Sequence, residues 1–257
     1  MLSKNKIKWI RSLEIKKIRD AEKLFVAEGH KIVCELLESS FSTVALYATD
    51  QWYKKNSHLK KKFPKESEFI NETELQKISF LKTPQEVIAI ATIPDSKLNT
   101  QLLSNKLSIA LDTIQDPGNL GTIIRLADWF GINNIICSPD TADAFNPKVI
   151  QSTMGAIFRV NIHYCPLEQI LPELTKIGLP IYGTTLDGEN IYDSTLSKDG
   201  IIIMGNESKG VKDNTLPFIQ KNLFIPNFPL GQKTSESLNV GVATAIICAE
   251  FRRRLLC

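Results

Sequence analysis

From Leu107 to its end the chain alternates short apolar runs with segments of helical spacing, and this alternation narrows the possible folds more than any other feature. The spacing predicts strands over Leu107–Ile114, Asn134–Cys137, Val160–Tyr164, Pro180–Thr185, Ile201–Met204 and Leu223–Ile225. It predicts helices over Leu120–Phe130, Pro147–Phe158, Leu167–Ile177 and Leu238–Leu256. Several strands are apolar throughout, as strands covered on both faces are, so a mostly parallel α/β sheet is expected. Such sheets bind ligands beyond the carboxyl ends of their strands, and the loops that follow strands are where chemistry is to be sought.

At 257 residues the chain is long for one domain and comfortable for two. Residues 1–95 read as a small α/β domain: a helix over Ser12–Val26, another after Gly29, a strand over Thr43–Ala48, a short strand near Glu68–Ile70, a helix capped at Asn71, and a buried strand over Glu86–Ile93. Residues 96–106 are polar with few apolar anchors and read as a linker to a second domain over 107–257. Charge follows the same division. Residues 1–95 hold 17 Lys+Arg against 13 Asp+Glu, and the remainder 14 against 15. The excess sits in two clusters, Lys4–Arg19 and Lys54–Lys65. Clusters of this kind suit phosphate contact, although a solvated lysine surface has the same composition.

The five cysteines (Cys34, Cys137, Cys165, Cys248 and Cys257) stand at neither metal-ligand nor redox-pair spacing. No structural metal is expected, and the setting is expected to be the reducing cytoplasm. The basic start lacks the apolar stretch of a signal peptide, and no apolar run is long enough to span a bilayer, so no membrane partner is expected.

Three loops carry polar residues at strand ends. In Asp112–Arg125 a strand runs into Pro117-Gly118, with Asn119 where a helix N-cap would stand and Arg125 about two turns later. Pro-Gly-Asn before a helix is also ordinary turn chemistry, but an arginine inside TIIRLADWF is less ordinary, because a buried guanidinium needs partners. In Ile201–Gly210, Gly205 allows close backbone approach and is followed by Asn206 and Glu207. In Ile225–Val240 a strand end leads through a Gly- and Ser-containing loop to a helix of small residues, with Ser235–Ser237 as its candidate cap.

Together PGNLGTIIR, IMGNESKG and IPNFPLGQ…SESLNVGVATAI resemble, in order and spacing, the three signature motifs of the SpoU (TrmH-like) RNA ribose methyltransferases of the SPOUT superfamily. KLFVAEGHKIVCELL resembles the RNA-binding domain that often precedes that catalytic domain. The resemblance implies a SPOUT-type sheet with a C-terminal trefoil knot, a rare feature that pattern reasoning would not propose. It also implies transfer of a methyl group from S-adenosylmethionine to a ribose 2′-hydroxyl, an RNA substrate (ribosomal RNA preferred over transfer RNA), and a homodimer. Carried over by position, Asn119, Arg125, Glu207, Ser237 and Asn239 form the catalytic set. Arg125 activates the hydroxyl or clamps a phosphate, Glu207 pairs with Arg125, and Ser237 and Asn239 position the ribose or Arg125. Met204, Gly205, Asn206, Ile225, Pro226 and Leu238 surround the cofactor.

Two positions depart from the pattern: the gap from Gly231 to Ser237 is longer than usual, and Gly241 stands where serine is frequent. The scattered His30, His58 and His163 lie outside the three loops, which argues against a histidine base. Two other readings compete with this one. One is an inactive RNA-binding or ribosome-assembly factor on the same fold, against which the intact polar set speaks. The other is a Rossmann oxidoreductase, which would need a G-x-G-x-x-G turn after the first strand of its sheet, where Asp-Pro-Gly-Asn-Leu-Gly stands instead.

Overall fold

The computed structural model describes residues 1–95, 97–229 and 237–255. The chain divides into two compact units, Met1–Asp95 with Asp143–Arg159, and Ser96–Ala142 with Val160–Cys257.

The first unit contains α1 (Lys4–Ser12), α2 (Lys16–Glu22), β1 (Leu24–Glu28), α3 (His30–Glu38), β2 (Thr43–Ala48), α4 (Asp50–Lys55), β3 (Glu66–Phe69), α5 (Glu72–Ile78) and β4 (Val87–Thr92). Its sheet has the order β1-β4-β2-β3, with β4 antiparallel to both neighbours and β3 parallel to β2. Asn71 caps α5 in the expected capping box with Glu74. The single helix expected over Ser12–Val26 is instead two helices and a strand. Lys23, left-handed at φ 56°, ends α2, and the buried run from Phe25 to Glu28 pairs with β4. A short apolar run is ambiguous between helix and strand, and here sheet pairing decides it.

Arg19, part of the first basic cluster, is only 1% exposed. Its guanidinium donates to the carbonyls of Leu13 (2.8 Å) and Glu14 (2.7 Å) and pairs with Asp143. It therefore fixes the corner between α1 and α2 and is not available to a ligand.

The segment Asp143–Arg159, which the sequence reading ran on with the second domain, groups with the first unit. The reason is aromatic and ionic. Phe145 meets Phe25 at 5.0 Å, Phe158 meets Phe41 at 5.2 Å, and Arg159 pairs with Glu35. The helix expected over Pro147–Phe158 is shortened to α7 (Pro147–Thr153), because Met154 (φ 52°) and Gly155 (φ 96°) turn left-handed before a short 3-10 turn at Ala156–Phe158.

The second unit contains β5 (Leu107–Leu111), α6 (Pro117–Trp129), β6 (Asn134–Cys137), β7 (Asn161–Tyr164), α8 (Leu167–Lys176), β8 (Ile181–Asn190), β9 (Gly200–Met204), β10 (Lys221–Phe224) and α9 (Val240–Arg253). The sheet order is β10-β8-β9-β5-β6-β7 and every pairing is parallel, as the continuous apolar strands require. The central strands β5 and β9 are buried along their whole length. Leu167, Leu171 and Leu174 of α8 pack with Ile181, Ile201 and Ile203 on one face. Leu103, in the segment read as a linker, is fully buried in the same cluster, so that stretch is anchored.

Side-chain bonds tie α9 to its neighbours. Arg252 donates to the carbonyls of Phe130 (2.7 Å) and Gly131 (3.0 Å), satisfying groups at the end of α6. Glu250, 4% exposed, accepts from Arg253 and Arg254, and their guanidinium groups hold its carboxyl down to about 2. Arg254 in turn donates to the carbonyls of Ile191 (2.8 Å) and Tyr192 (3.1 Å), in the turn after β8. Among the described residues no helix is long and apolar enough to cross a membrane, and no group of three or more side chains is disposed to hold a metal ion.

Candidate active site

Three loops of the second unit meet through side-chain amides. Asp116 caps α6 by accepting from the Asn119 backbone N–H at 2.7 Å, with Pro117 in the first turn, where its missing N–H costs nothing. Asn119, read as the cap from sequence, is therefore inside the first turn, and its side chain takes no part in capping. Asn239 caps α9, its Oδ1 accepting from Gly241 (2.9 Å) and Val242 (3.3 Å). This role was expected of Ser235–Ser237, of which only Ser237 lies among the described residues; the long Gly231–Ser237 gap falls mostly outside them.

Because Asn239 Oδ1 must face those backbone donors, its Nδ2 points outward and donates to Asn119 Oδ1 at 2.9 Å. The Asn119 amide is oriented by the same logic: its Nδ2 donates to Glu207 Oε1 at 2.6 Å. The loop after β9 that carries Glu207 is itself closed. Asn206 and Gly210 exchange two backbone hydrogen bonds of 2.9 Å, Asn206 Oδ1 accepts from Ser208 and Lys209, and Asn206 Nδ2 donates to the Thr113 carbonyl.

Arg125 stands apart. It is exposed, and it forms no ion pair or hydrogen bond among the described residues. The expected Arg125–Glu207 pair is replaced by Asn119–Glu207. Six residues along a helix turn Arg125 about 120° away from Asn119. The reading of Arg125 as a buried guanidinium in an apolar stretch is corrected by the same geometry.

A cleft of about 680 Å3 opens beside the middle of β8 and at the carboxyl ends of β9 and β10. Met204, Gly205, Asn206, Glu207, Ile225, Ser237 and Leu238 line it, whereas Pro226 does not. Thr184, Thr185, Asp187, Leu216, Asn222 and Phe224 line it as well and were not singled out from sequence. The available signal was Asp187-Gly188, just past the strand expected over Pro180–Thr185 and inside β8, which runs on to Asn190. Asp187 is an exposed carboxylate without a hydrogen-bond or ion-pair partner among the described residues. A separate pocket of about 160 Å3 lies by buried Asp112. Lys212 donates to Asp140 at 2.6 Å there, which raises its ammonium above the usual lysine range.

Residues 106–249 match the model of the SpoU rRNA Methylase family. The chain belongs to that family. Residues 4–89 match an MRM3-like substrate binding domain. Over 254 residues the chain is 32% identical to the 23S rRNA (guanosine(2553)-2′-O)-methyltransferase RlmP of Bacillus subtilis, covering 96% of each protein. Its fold is similar to a TrmH-family RNA methyltransferase structure from Porphyromonas gingivalis (TM-score 0.89, 36% identity, 99% of each chain). It is also similar to an AdoMet-bound rRNA methyltransferase from Sinorhizobium meliloti, with a TM-score of 0.88 and 29% identity over 100% of this chain and 97% of that one. SpoU-family membership accounts for the parallel sheet and for the order of the three loops along the chain.

Proposed function

We propose that this chain transfers the methyl group of S-adenosylmethionine to a ribose 2′-hydroxyl of ribosomal RNA. The observation that carries the reading is the chain of oriented amides from Asn239 through Asn119 to Glu207, which joins three sequence-distant loops beside one cleft. The cleft volume lies within the roughly 300–1,000 Å3 of small-molecule sites. Its lining suits the cofactor: Met204, Leu223, Val240 and Ile247 offer apolar surface to an adenine, and Asp187 offers a carboxylate to a cationic group. When bound, S-adenosylmethionine supplies a methyl group made electrophilic by its sulfonium.

The rest is the work of the chain's own residues. A ribose hydroxyl is a weak nucleophile and must lose or share its proton as it attacks. Glu207 Oε1 is held by Asn119, and Oε2 has no partner among the described residues, so one carboxylate oxygen is oriented and the other is free to accept that proton. Ser237, exposed on the cleft rim, is placed to position the ribose. A guanidinium is too hard to deprotonate to act as a base. Arg125 instead offers five donors to a phosphate or to the attacking oxygen. The preference for ribosomal RNA is supported by the named activity of the Bacillus subtilis relative. The threading of the C-terminal segment into a trefoil knot, implied by the resemblance, belongs to the same reading. Residues of β8, the β9 loop, β10 and α9 all line one cleft.

The reading includes a homodimer formed through α6 and α9. Trp129 at the end of α6 is 84% exposed and Val242 in the first turn of α9 is 50% exposed, so each of two helices that pack against each other leaves a large apolar side chain in the open. Light scattering is expected to give twice the chain mass at micromolar concentration; a clean monomer would count against this interface. The activity is tested by nucleoside mass spectrometry of total RNA from the host with and without the gene. Loss of one 2′-O-methyl nucleoside, mapped to ribosomal RNA, is the expected result. An unchanged set, together with no methyl transfer from the purified protein to ribosomal RNA stripped of methylation, would favour an inactive RNA-binding factor.

A further inference from the structure

We infer that the α4 side of the first unit's sheet is a stacking platform for an unpaired RNA nucleotide, with Phe69 beneath the base and Lys60, Lys61, Lys62 and Lys65 along the phosphates. The inference rests on the reading of RNA as the substrate. Phe69 is 65% exposed, the one exposed Phe, Tyr or Trp ring of this unit among the described residues. It lies at the end of β3, the edge strand of the sheet.

The ring is held rather than dangling. Tyr53 meets it edge-on at 4.6 Å. Tyr53 is anchored by its hydroxyl, which donates to the Leu46 carbonyl at 3.1 Å, and by contacts with Phe63 (5.4 Å) and with Trp52 (5.7 Å). Trp52 is fully buried, so an aromatic ladder runs from the core to the surface and ends in an open face at Phe69. A fixed aromatic face costs little to order when a base stacks on it, and stacking tolerates any base.

Charge on this side of the sheet selects the partner. Strand alternation places Glu66 and Glu68 on one face of β3 and Ser67 and Phe69 on the other. Register agrees, since Glu68 stands beside Tyr47, and Glu66 bonds to Tyr47 and Lys6 on the α1 side. The acids of β3 are thus turned away from Phe69. The residues before Phe63, in the 3-10 turn Ser57–Lys62, bring three successive lysines, and Lys65 follows. All four are exposed and form no ion pair among the described residues, unlike Lys54 (with Asp50) and Lys55 (with Glu86). The Lys60–Lys62 run joins the chain at Phe63, two ring contacts from Phe69, within the reach of lysine side chains to the phosphates flanking a stacked nucleotide. Pairing of β3 with a strand of another protein is the other use of such an edge, but flanking lysines are what natural sheets use to resist it.

The test compares the full chain, by fluorescence anisotropy, on a short labelled oligouridine strand and on a blunt RNA duplex of equal length. Tighter binding to the strand is expected. Phe69→Ala should weaken strand binding about tenfold while leaving duplex binding unchanged, and Phe69→Trp should keep it. Replacing Lys60, Lys61 and Lys62 together by glutamate should reduce the slope of log affinity against log salt by about 2. Equal affinity of Phe69→Ala and wild type for the strand overturns the inference. So does a change in assembly mass with RNA affinity intact, which would mark a protein-pairing edge. The two readings fail separately. Strand binding that depends on Phe69 without methyl transfer to any ribosomal RNA would sink the proposed activity alone. Methyl transfer with a Phe69→Ala variant that binds as wild type would sink the platform alone.

Discussion

Arg125→Ala is expected to slow methyl transfer about a hundred- to a thousandfold, the usual cost of removing one donor that acts on developing charge, while cofactor affinity and thermal unfolding stay as in the wild type. The argument is positional. Arg125 is exposed on α6 and is bound to nothing among the described residues, so its removal leaves no buried group without a partner. It is absent from the cleft lining, so cofactor binding has no direct need of it. What remains is an interaction made with RNA. Arg125→Lys keeps the charge but loses the planar fork, and is expected to recover only a small part of the rate. Calorimetric titration with S-adenosylmethionine, a melting curve and single-turnover transfer to ribosomal RNA decide the matter. A lowered melting temperature or lost cofactor binding would make Arg125 a structural residue, and an unchanged rate would remove it from the reaction.

This separation of binding from chemistry is one thing that residue order alone does not convey. Strand ends and the order of the three loops are local properties, and they were legible: Gly205 directly after four apolar residues, a helix start at Pro117–Leu120, and a helix of small residues after the third loop, although the caps themselves are Asp116 and Asn239 rather than Asn119 and Ser235–Ser237. Which polar groups meet is not local. Glu207 takes Asn119, 88 residues away in sequence, because the caps of α6 and α9 fix both amides; the pairing with Arg125 expected from motif content ignored the turn of the helix between them. The packing of Phe145 and Phe158 onto Phe25 and Phe41 likewise leaves no trace in periodicity, so residues 143–159 were read with their sequence neighbours. The run from Leu24 to Ala27 was too short for its period to separate strand from helix. At Phe69 the aromatic and lysine residues were visible in sequence, but only the alternation of β3 shows that its acids face away from them.

Gly205→Ala is expected to do the opposite of Arg125→Ala, removing cofactor binding while leaving the groups of the reaction chemically intact. A Cβ at this position would stand 2.5 Å from the Val211 nitrogen and closer still to the Gly210 carbonyl carbon. Both are backbone atoms that cannot rotate away. The loop has no slack to absorb the shift, since Asn206 and Gly210 hold each other by two backbone bonds and Asn206 is also tied to Thr113. Inserting one carbon into a packed site of this kind costs about 1–3 kcal/mol. Here the strain falls on the loop that lines the cleft and carries Glu207, so affinity for S-adenosylmethionine should drop at least about tenfold, which is about 1.4 kcal/mol. Gly210→Ala is the informative control. Nothing stands within 4 Å of its Cβ, and only its left-handed backbone (φ 69°) opposes a side chain, for a cost of about 1 kcal/mol. If close approach is what Gly205 provides, Gly205→Ala loses binding and Gly210→Ala retains most of it. Equal losses would assign the effect to loop conformation in general, and wild-type affinity in Gly205→Ala would show that the cofactor does not depend on this loop.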